Sequence, residues 1–331
     1  MAHDSRREDY LRMSLRFALS LDEGDPSRAA REFASFTRRL ARDRDSLPQS
    51  DADRAFHLVS LATELVDYRL PFAGDSLADS LTARGLALLE EALSLDPNCH
   101  DAVRMSFSLK TPSAEARWRF LVEREESVRL SCESTRDQLC AELDETRAAL
   151  AENVSMRPWW RWLADMAECA LICGRNRAAI DAAERLLAAE PSDLSDVRRT
   201  LVYALAKLED GDGVRRLAAE TGDAWSLLAS LALAHKRCDF AEARRQVERL
   251  LTAYPGCAPV LMRQIEIPDG RFARIRVPAR GEDELILAVS EGVVLLQEGA
   301  ERSGKGVLGA WLARTVSELA GEKDDEGASR S

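Results

Sequence analysis

Leu186-Leu187-Ala188-Ala189-Glu190-Pro191 is the stretch of the chain that decides its fold. The same ending, an apolar pair followed by three residues and a proline, recurs at residues 250–255 and, beginning with Ala92, at residues 92–97. Proline lacks a backbone N–H and disfavours the α conformation in the residue before it, so each copy predicts the end of a helix. A helix pair cannot bury its apolar face alone, and we therefore expect the copies to stack into an all-α array with a concave binding surface.

The composition agrees with a helical, soluble chain. Of 331 residues, 46% are apolar and 31% charged, while Gly (17) and Pro (11) are scarce, which is typical of all-α proteins. The net charge of −11 argues against a nucleic-acid surface over the whole molecule but permits a local basic patch. The first residues lack the basic-then-apolar order of a signal peptide, and no uncharged apolar run approaches the roughly 20 residues of a membrane span. We therefore expect a cytoplasmic protein that does not cross a membrane.

The pattern of apolar positions and breaks predicts five regions along the chain. The region dense in Glu and Arg before the core predicts one long exposed helix or a broken one. The polar tail is expected to be disordered. In chain order we expect an N-terminal helical segment (1–110), a long charged bridging helix (111–155), a repeat core (156–264), a connection with a C-terminal helical cap (265–320) and the tail (321–331).

Turn and crossing residues around the proline endings resemble those of the tetratricopeptide repeat. Small residues at helix crossings let two helices approach closely enough to pack ridges into grooves. Counted back from Pro191 and Pro255, the matching positions are Gly174 at the turn, Ala167, Ala179 and Ala243 at crossings, Phe240 at a helix start, and Leu186-Leu187 at the close. The resemblance implies a helical-hairpin repeat solenoid, with an N-terminal helical segment and a C-terminal helical cap.

A closer resemblance begins at Pro191. The string Pro191-Ser-Asp193-Leu-Ser-Asp-Val197-Arg198-Arg-Thr-Leu201 is similar to one in a group of bacterial tetratricopeptide proteins, which are in turn similar to the suppression-of-tumorigenicity-seven family. The acidic run that starts at Gly281 and the Trp311-Leu312 pair resemble the C-terminal pieces of that group. This resemblance implies architecture and binding rather than chemistry.

We expect the protein to be a non-catalytic protein–protein interaction module, an adaptor or scaffold that holds a partner segment in the concave groove. The first helices of such pairs line the groove, and its residue types suit a cationic or apolar helix better than a free carboxylate terminus. The sequence does not identify the partner or the oligomeric state. The candidate partner-binding residues are Arg161, Glu168, Arg198, Tyr203 and Trp225.

The alternative function is a nucleic-acid-linked regulatory role for a dense basic patch. Arginines interleaved with an aromatic residue can contact phosphates and stack on a base, although a solvated loop is the simpler interpretation. The surrounding residues predict a small hairpin or an extended connection. The patch consists of Arg271, Arg274, Arg276 and Arg280.

Nothing in the sequence forms a catalytic, cofactor or metal site. The glycine-rich stretch at residues 299–306 fits the start of a phosphate-binding loop, but Gly306 stands where Ser or Thr should hold Mg²⁺, so a helix–helix turn is favoured. Cys169 and Cys173 lie one helical turn apart without a second Cys or His pair to complete a zinc site. We therefore expect no cofactor, no metal and no enzymatic activity.

Overall fold

The computed structural model describes residues 4–20, 26–141, 143–267, 277–300 and 304–328. Within these residues the protein is all-α, with sixteen α-helices, no strand and 79% helical content. The all-α fold class predicted from the sequence is therefore confirmed. The chain divides into two compact units: an N-terminal unit that ends at Leu163 and a C-terminal unit that begins at Ala164.

The N-terminal unit contains six helices and most of a seventh. Its main core lies where α3 and α4 pack together and α5 closes one side, around Phe56, Val59, Leu89 and Met105, which are at most 3% exposed. The helices are α1 (Ser5–Leu19), α2 (Pro26–Arg42), α3 (Asp51–Val66), α4 (Asp75–Leu95), α5 (His100–Lys110), α6 (Ala114–Cys140) and α7 (Glu145–Ile172).

The predicted bridging helix is two helices, so the broken alternative is the one that the structure has. α6 ends at Cys140, and α7 begins at Glu145 and continues past residue 155, where we expected the region to end. α7 also contains Pro158, which has no N–H for the carbonyl of Val154. The guanidinium of Arg12 in α1 donates to that carbonyl oxygen at 3.3 Å, so the side chain replaces the hydrogen bond that the proline removes.

The C-terminal unit starts inside α7 and is built from packed helix pairs, followed by three short helices and the longer α16. α9 packs on α8 and α11, α14 packs on α11, and α16 packs along α12 and α13. The helices are α8 (Asn176–Ala189), α9 (Val197–Lys207), α10 (Gly211–Thr221), α11 (Ala224–Lys236), α12 (Phe240–Ala253), α13 (Ala258–Arg263), α14 (Glu282–Glu291), α15 (Val293–Leu296) and α16 (Val307–Ala328).

The turn inside each of three helix pairs, α7–α8, α9–α10 and α11–α12, has the same geometry. In each turn a backbone N–H reaches back five residues to a carbonyl, at 2.8, 3.0 and 3.0 Å. The residue before that N–H has a positive φ: 71° at Gly174, 58° at Glu209 and 58° at Cys238. Left-handed residues of this kind commonly end helices because they satisfy carbonyls that lack a helical partner. These three residues therefore mark equivalent positions in consecutive pairs.

The proline endings also share one geometry, including the copy at Pro97. Asp96, Glu190 and Tyr254, the residues before the prolines, all have φ between −127° and −140° and lie outside the helical region. Each carbonyl then accepts a hydrogen bond from the N–H three residues on, at 3.0, 3.2 and 3.2 Å. The Pro97 copy, which from sequence shares only its ending with the other two, therefore shares the turn that follows as well.

Other predictions have mixed outcomes. The backbone of α16 continues to Ala328, into the stretch 321–331 for which we expected disorder. The predicted hairpin or connection at residues 265–277 lies mostly outside the described residues, which stop at 267 and resume at 277. Among the described helices, none is long and apolar enough to cross a lipid bilayer.

Candidate functional site

Arg161, a predicted partner-binding residue, is buried in the N-terminal unit. Its side chain is 4% exposed and lies between two buried carboxylates, those of Glu8 in α1 and Asp101 in α5. Arg161 Nη1 donates to Glu8 Oε2 at 2.8 Å, and Arg161 Nε donates to Asp101 Oδ1 at 2.7 Å. The expectation that Arg161 lines a groove is therefore corrected, because its guanidinium ties α1, α5 and α7 together.

The charges of this cluster depend on one another. Burial alone would raise the pKa of Asp101, but the Arg161 guanidinium outweighs that effect and the net pKa lies below its ordinary value. Burial likewise opposes the charge of Arg161, and the two carboxylates restore it, so that its pKa is raised. A buried charge is stable only with its partner in place, so the cluster is a structural element of the N-terminal unit.

Tyr203 and Trp225, two further candidates, lie in the C-terminal unit and are each 1% exposed. The Tyr203 hydroxyl donates to the carbonyl of Ala288 at 2.7 Å, and Trp225 Nε1 donates to Glu291 Oε2 at 2.7 Å. Ala288 and Glu291 both belong to α14. The two side chains therefore do contact a helix, but that helix is part of the same chain, which corrects the expectation of an open groove at this position.

Two lysines, Lys207 in α9 and Lys236 in α11, contact the same chain segment further along, at Glu298. Lys207 Nζ and Lys236 Nζ lie 3.1 and 2.9 Å from the carboxylate of Glu298. Each lysine stands two residues before the positive-φ residue of its pair turn, so both occupy the same position of consecutive pairs. Burial raises the pKa of Glu298, but hydrogen bonds from the two lysines outweigh burial and lower it overall. We did not predict these lysines; aligning the pair turns would have found them.

A third carboxylate, that of Glu284, is buried at the other end of the contact. It accepts hydrogen bonds from the N–H of Ala224, at the start of α11, at 3.2 Å and from the Tyr254 hydroxyl at 2.8 Å. The backbone N–H of Arg280 also donates to it. Burial and the neighbouring Glu284 raise the pKa of Tyr254, so the hydroxyl keeps its proton and remains a donor.

These contacts define a receptor face and a docked segment. The receptor face is the side of α9 and α11 that carries Tyr203, Lys207, Trp225 and Lys236, and the docked segment is residues 281–298. Three carboxylates of the docked segment, those of Glu284, Glu291 and Glu298, are spaced seven residues apart in the sequence. The first two belong to α14, and Glu298 lies two residues beyond the end of α15. They accept hydrogen bonds, in order, from the start of α11 and Tyr254, from the Trp225 indole and from the two lysines.

Apolar side chains of the docked segment fill the space between its carboxylates. Leu285 and Ala288 are fully buried, and Leu295 and Leu296 are each 2% exposed. Fully burying a leucine side chain contributes about 1.5–3 kcal/mol, so the segment is held mainly by apolar packing and oriented by its polar contacts. The segment that covers this surface is apolar and acidic.

The remaining two candidates lie nearer the surface. Arg198, with 27% of its side chain exposed, pairs with Asp193 at 3.3 Å and donates to the Pro191 carbonyl at 3.2 Å. Glu168 is half-buried and stands six residues before the positive-φ residue of its pair turn, the position of Tyr203 in the next pair. The structure therefore brings Tyr203 and Trp225 together around one helix, while Arg198 stabilises the turn before α9.

The basic patch is described only at its end. Arg271, Arg274 and Arg276 lie outside the described residues, and Arg280 is exposed with a left-handed backbone (φ 62°). The described part of the patch therefore supplies one exposed guanidinium. That observation does not favour the nucleic-acid alternative over a solvated loop.

The remaining candidate chemistry resolves into structural contacts. The residues just before the glycine-rich stretch, 293–296, form α15, and within that stretch Lys305 Nζ donates to the backbone carbonyl of Met262. Burial raises the pKa of Cys99 and of Cys132 to about 12, so both thiols stay protonated. In the residues that the structure covers, no three His, Cys, Asp or Glu side chains are arranged to hold a metal ion.

Compared with protein-family models, curated proteins and solved structures, the chain matches none of them. The resemblance to tetratricopeptide proteins therefore rests on the chain's own residues. The site defined by the geometry is a segment that contains α14 and α15 and is held against α9 and α11 by apolar packing and three carboxylates.

Proposed function

We propose that the protein is a non-catalytic protein–protein interaction module with a tetratricopeptide-like helical-repeat architecture in its C-terminal unit. The observation that carries the proposal is the receptor face, on which equivalent positions of consecutive pairs act together on one segment of the chain. Lys207 and Lys236 are such positions, and both contact Glu298. A surface in which repeats cooperate to hold a helix is the working principle of helical-repeat binding proteins.

The partner is a protein segment that forms a helix on the receptor face. The face supplies two ammonium groups, an indole N–H and a phenol hydroxyl around a floor of apolar side chains. The ammonium groups favour a partner with negative charge, and the apolar floor favours a partner whose side chains fit its shape. No group in the site has the geometry or the shifted pKa of a nucleophile, so binding and not turnover is the expected activity.

Affinity capture with matched variants tests this function. The baits are the wild-type chain, a Lys207→Glu/Lys236→Glu variant that reverses the charge of the receptor face, and an Arg314→Glu control on the exposed side of α16. We expect a stoichiometric partner that wild type and control retain and the double variant loses. The same proteins captured by all three baits, or no stoichiometric partner, would contradict the proposal.

The nucleic-acid alternative and the cytoplasmic location stay predictions. For the alternative, the decisive measurement is a mobility shift with single-stranded RNA at low salt, repeated after Arg274→Glu/Arg276→Glu/Arg280→Glu substitution. Phosphate contacts weaken steeply with salt, so an RNA shift that is insensitive to both salt and substitution would rule out this patch.

A further inference from the structure

We infer that the docked segment is an exchangeable internal ligand, and that the partner of the receptor face is a helix with the same pattern: carboxylates at seven-residue spacing around an apolar stripe. This inference rests on the proposed function, since it names the chemistry of the partner and the state in which the receptor face meets it. The pattern is read from three independent contacts of the docked segment, those of Glu284, Glu291 and Glu298.

The contacts of the docked segment are those of a bound peptide. Each carboxylate lies against a group that the receptor helices or their neighbours contribute: the Ala224 N–H, the Trp225 indole and the paired lysines. Because the contacts alternate with buried leucines, a partner helix needs both features at once. A basic helix would place like charges against Lys207 and Lys236, and a uniformly apolar one would leave the buried indole N–H without an acceptor.

Deep burial of the docked segment does not prevent exchange at equilibrium. A free helix with the same side chains restores the contacts with the receptor face that the docked segment loses, so those contact energies cancel. What remains is the advantage of being tethered, an effective concentration on the order of 1 mM for a short connection. A free peptide of identical sequence should therefore displace half of the docked segment at about 1 mM, and a second copy of the chain at micromolar concentration should displace very little.

Weakening the docked segment shifts this competition in favour of the free helix. Suppose that the docked segment loses one hydrogen bond to a charged group while the free peptide keeps it. The peptide concentration needed to displace half of the docked segment then falls by about tenfold or more. Glu291→Ala and Glu298→Ala remove the acceptors for Trp225 and for the lysines from the docked segment, but leave the receptor face unchanged. We expect the concentration for half-binding to fall from about 1 mM to the order of 10 µM.

The test uses the full chain and a fluorescent peptide with the sequence of residues 281–298. Anisotropy is followed for many hours, since the docked segment must open before the peptide can enter. The proteins are wild type, Glu291→Ala/Glu298→Ala and the matched control Glu318→Ala. Glu318 is a surface residue of α16 whose carboxylate lies 3.5 Å from Arg244 in α12. A second peptide, with alanine in place of Glu284, Glu291 and Glu298, tests the pattern.

We expect saturable binding that is about a hundredfold tighter for the double variant than for wild type and the Glu318→Ala control, and much weaker with the alanine peptide. A double variant that keeps its helical circular dichroism but binds no peptide up to 1 mM would overturn the inference. Equal binding of the two peptides would overturn it as well. If the double variant does not fold, Glu298→Ala alone serves, because its side chain is 44% exposed, with an expected shift of about tenfold.

The two proposals fail differently. If affinity capture finds a partner that depends on Lys207 and Lys236 while the peptide never binds, the interaction function stands and the exchange is wrong. If the peptide exchanges but no partner is captured, the receptor face binds helices and the proposed function in the cell is wrong.

Discussion

Replacing Arg161 by methionine should destabilise the N-terminal unit strongly. The substitution keeps a long side chain but removes the guanidinium between Glu8 and Asp101, which are 0% and 2% exposed. Glu8 keeps Arg12 at 2.6 Å, whereas Asp101 is left with the longer contact to Arg104, at 3.5 Å. Removing one partner of a buried ion pair costs about 3–5 kcal/mol. For a unit of this size, we expect the melting temperature to fall by roughly 10 °C. Urea denaturation and calorimetry of the full chain measure both quantities.

The same variant should change the pH dependence of stability. In the wild type, the pKa of Asp101 is lowered from 3.8, so its contribution is fully present above pH 3.8 and is lost as pH falls through the lower folded value. In Arg161→Met the main opposing charge is gone, and burial should raise the pKa of Asp101 above 3.8. As the pH falls, Asp101 of the variant is therefore protonated and its unfavourable buried charge is removed, which stabilises the variant. The stability difference between wild type and variant should therefore narrow between pH 7 and pH 4.

Arg119→Met is the matched control. Arg119 pairs with Glu115 at 3.0 Å on the surface of α6 with 66% of its side chain exposed, and such pairs contribute about 0–1 kcal/mol. If Arg161→Met costs no more than this control, the buried cluster is not a stabilising connection. A stability difference that widens toward pH 4 would equally refute the assignment of charges.

Three further predictions concern single groups. Tyr203→Phe removes one hydrogen bond to Ala288 and should lower the unfolding free energy by about 1 kcal/mol; an unchanged urea midpoint would contradict the contact. Glu209→Gly should stabilise the chain by about 1 kcal/mol, because Glu209 is held at φ 58°; a lower melting temperature would contradict it. Burial raises the pKa of Cys99 and of Cys132, so at pH 8 both should react with iodoacetamide much more slowly than the exposed Cys238; equally rapid labelling of all three, found by peptide mass spectrometry, would contradict their burial.

Local chemistry made the helix ends predictable. A proline removes a donor and restricts its predecessor whatever surrounds it, which is why Pro97, Pro191 and Pro255 all follow helix ends as predicted. The break between α6 and α7 could be stated only as an alternative. The residues around 140–145 contain neither glycine nor proline, so no strong local signal marks it.

The candidate site was predictable in part. Tyr203 and Trp225 were placed on the correct helices, but their partners in α14 lie 85 and 66 residues further along the chain, and no local pattern reports such a contact. Arg161 was misassigned for the same reason. Arginine is normally a surface residue, and its partners Glu8 and Asp101 lie 153 and 60 residues away.

The distance along the chain between Glu8 and Arg161 has a consequence for synthesis. Ribosomes add about 5–20 residues per second, so the 153 residues that separate the two take roughly 8–30 s to appear. During that interval α1 has neither Arg161 as counter-charge nor Val154 as acceptor for Arg12. α1 can pack on α3 early, but its buried Glu8 therefore lacks Arg161 as a counter-charge until α7 has left the ribosome.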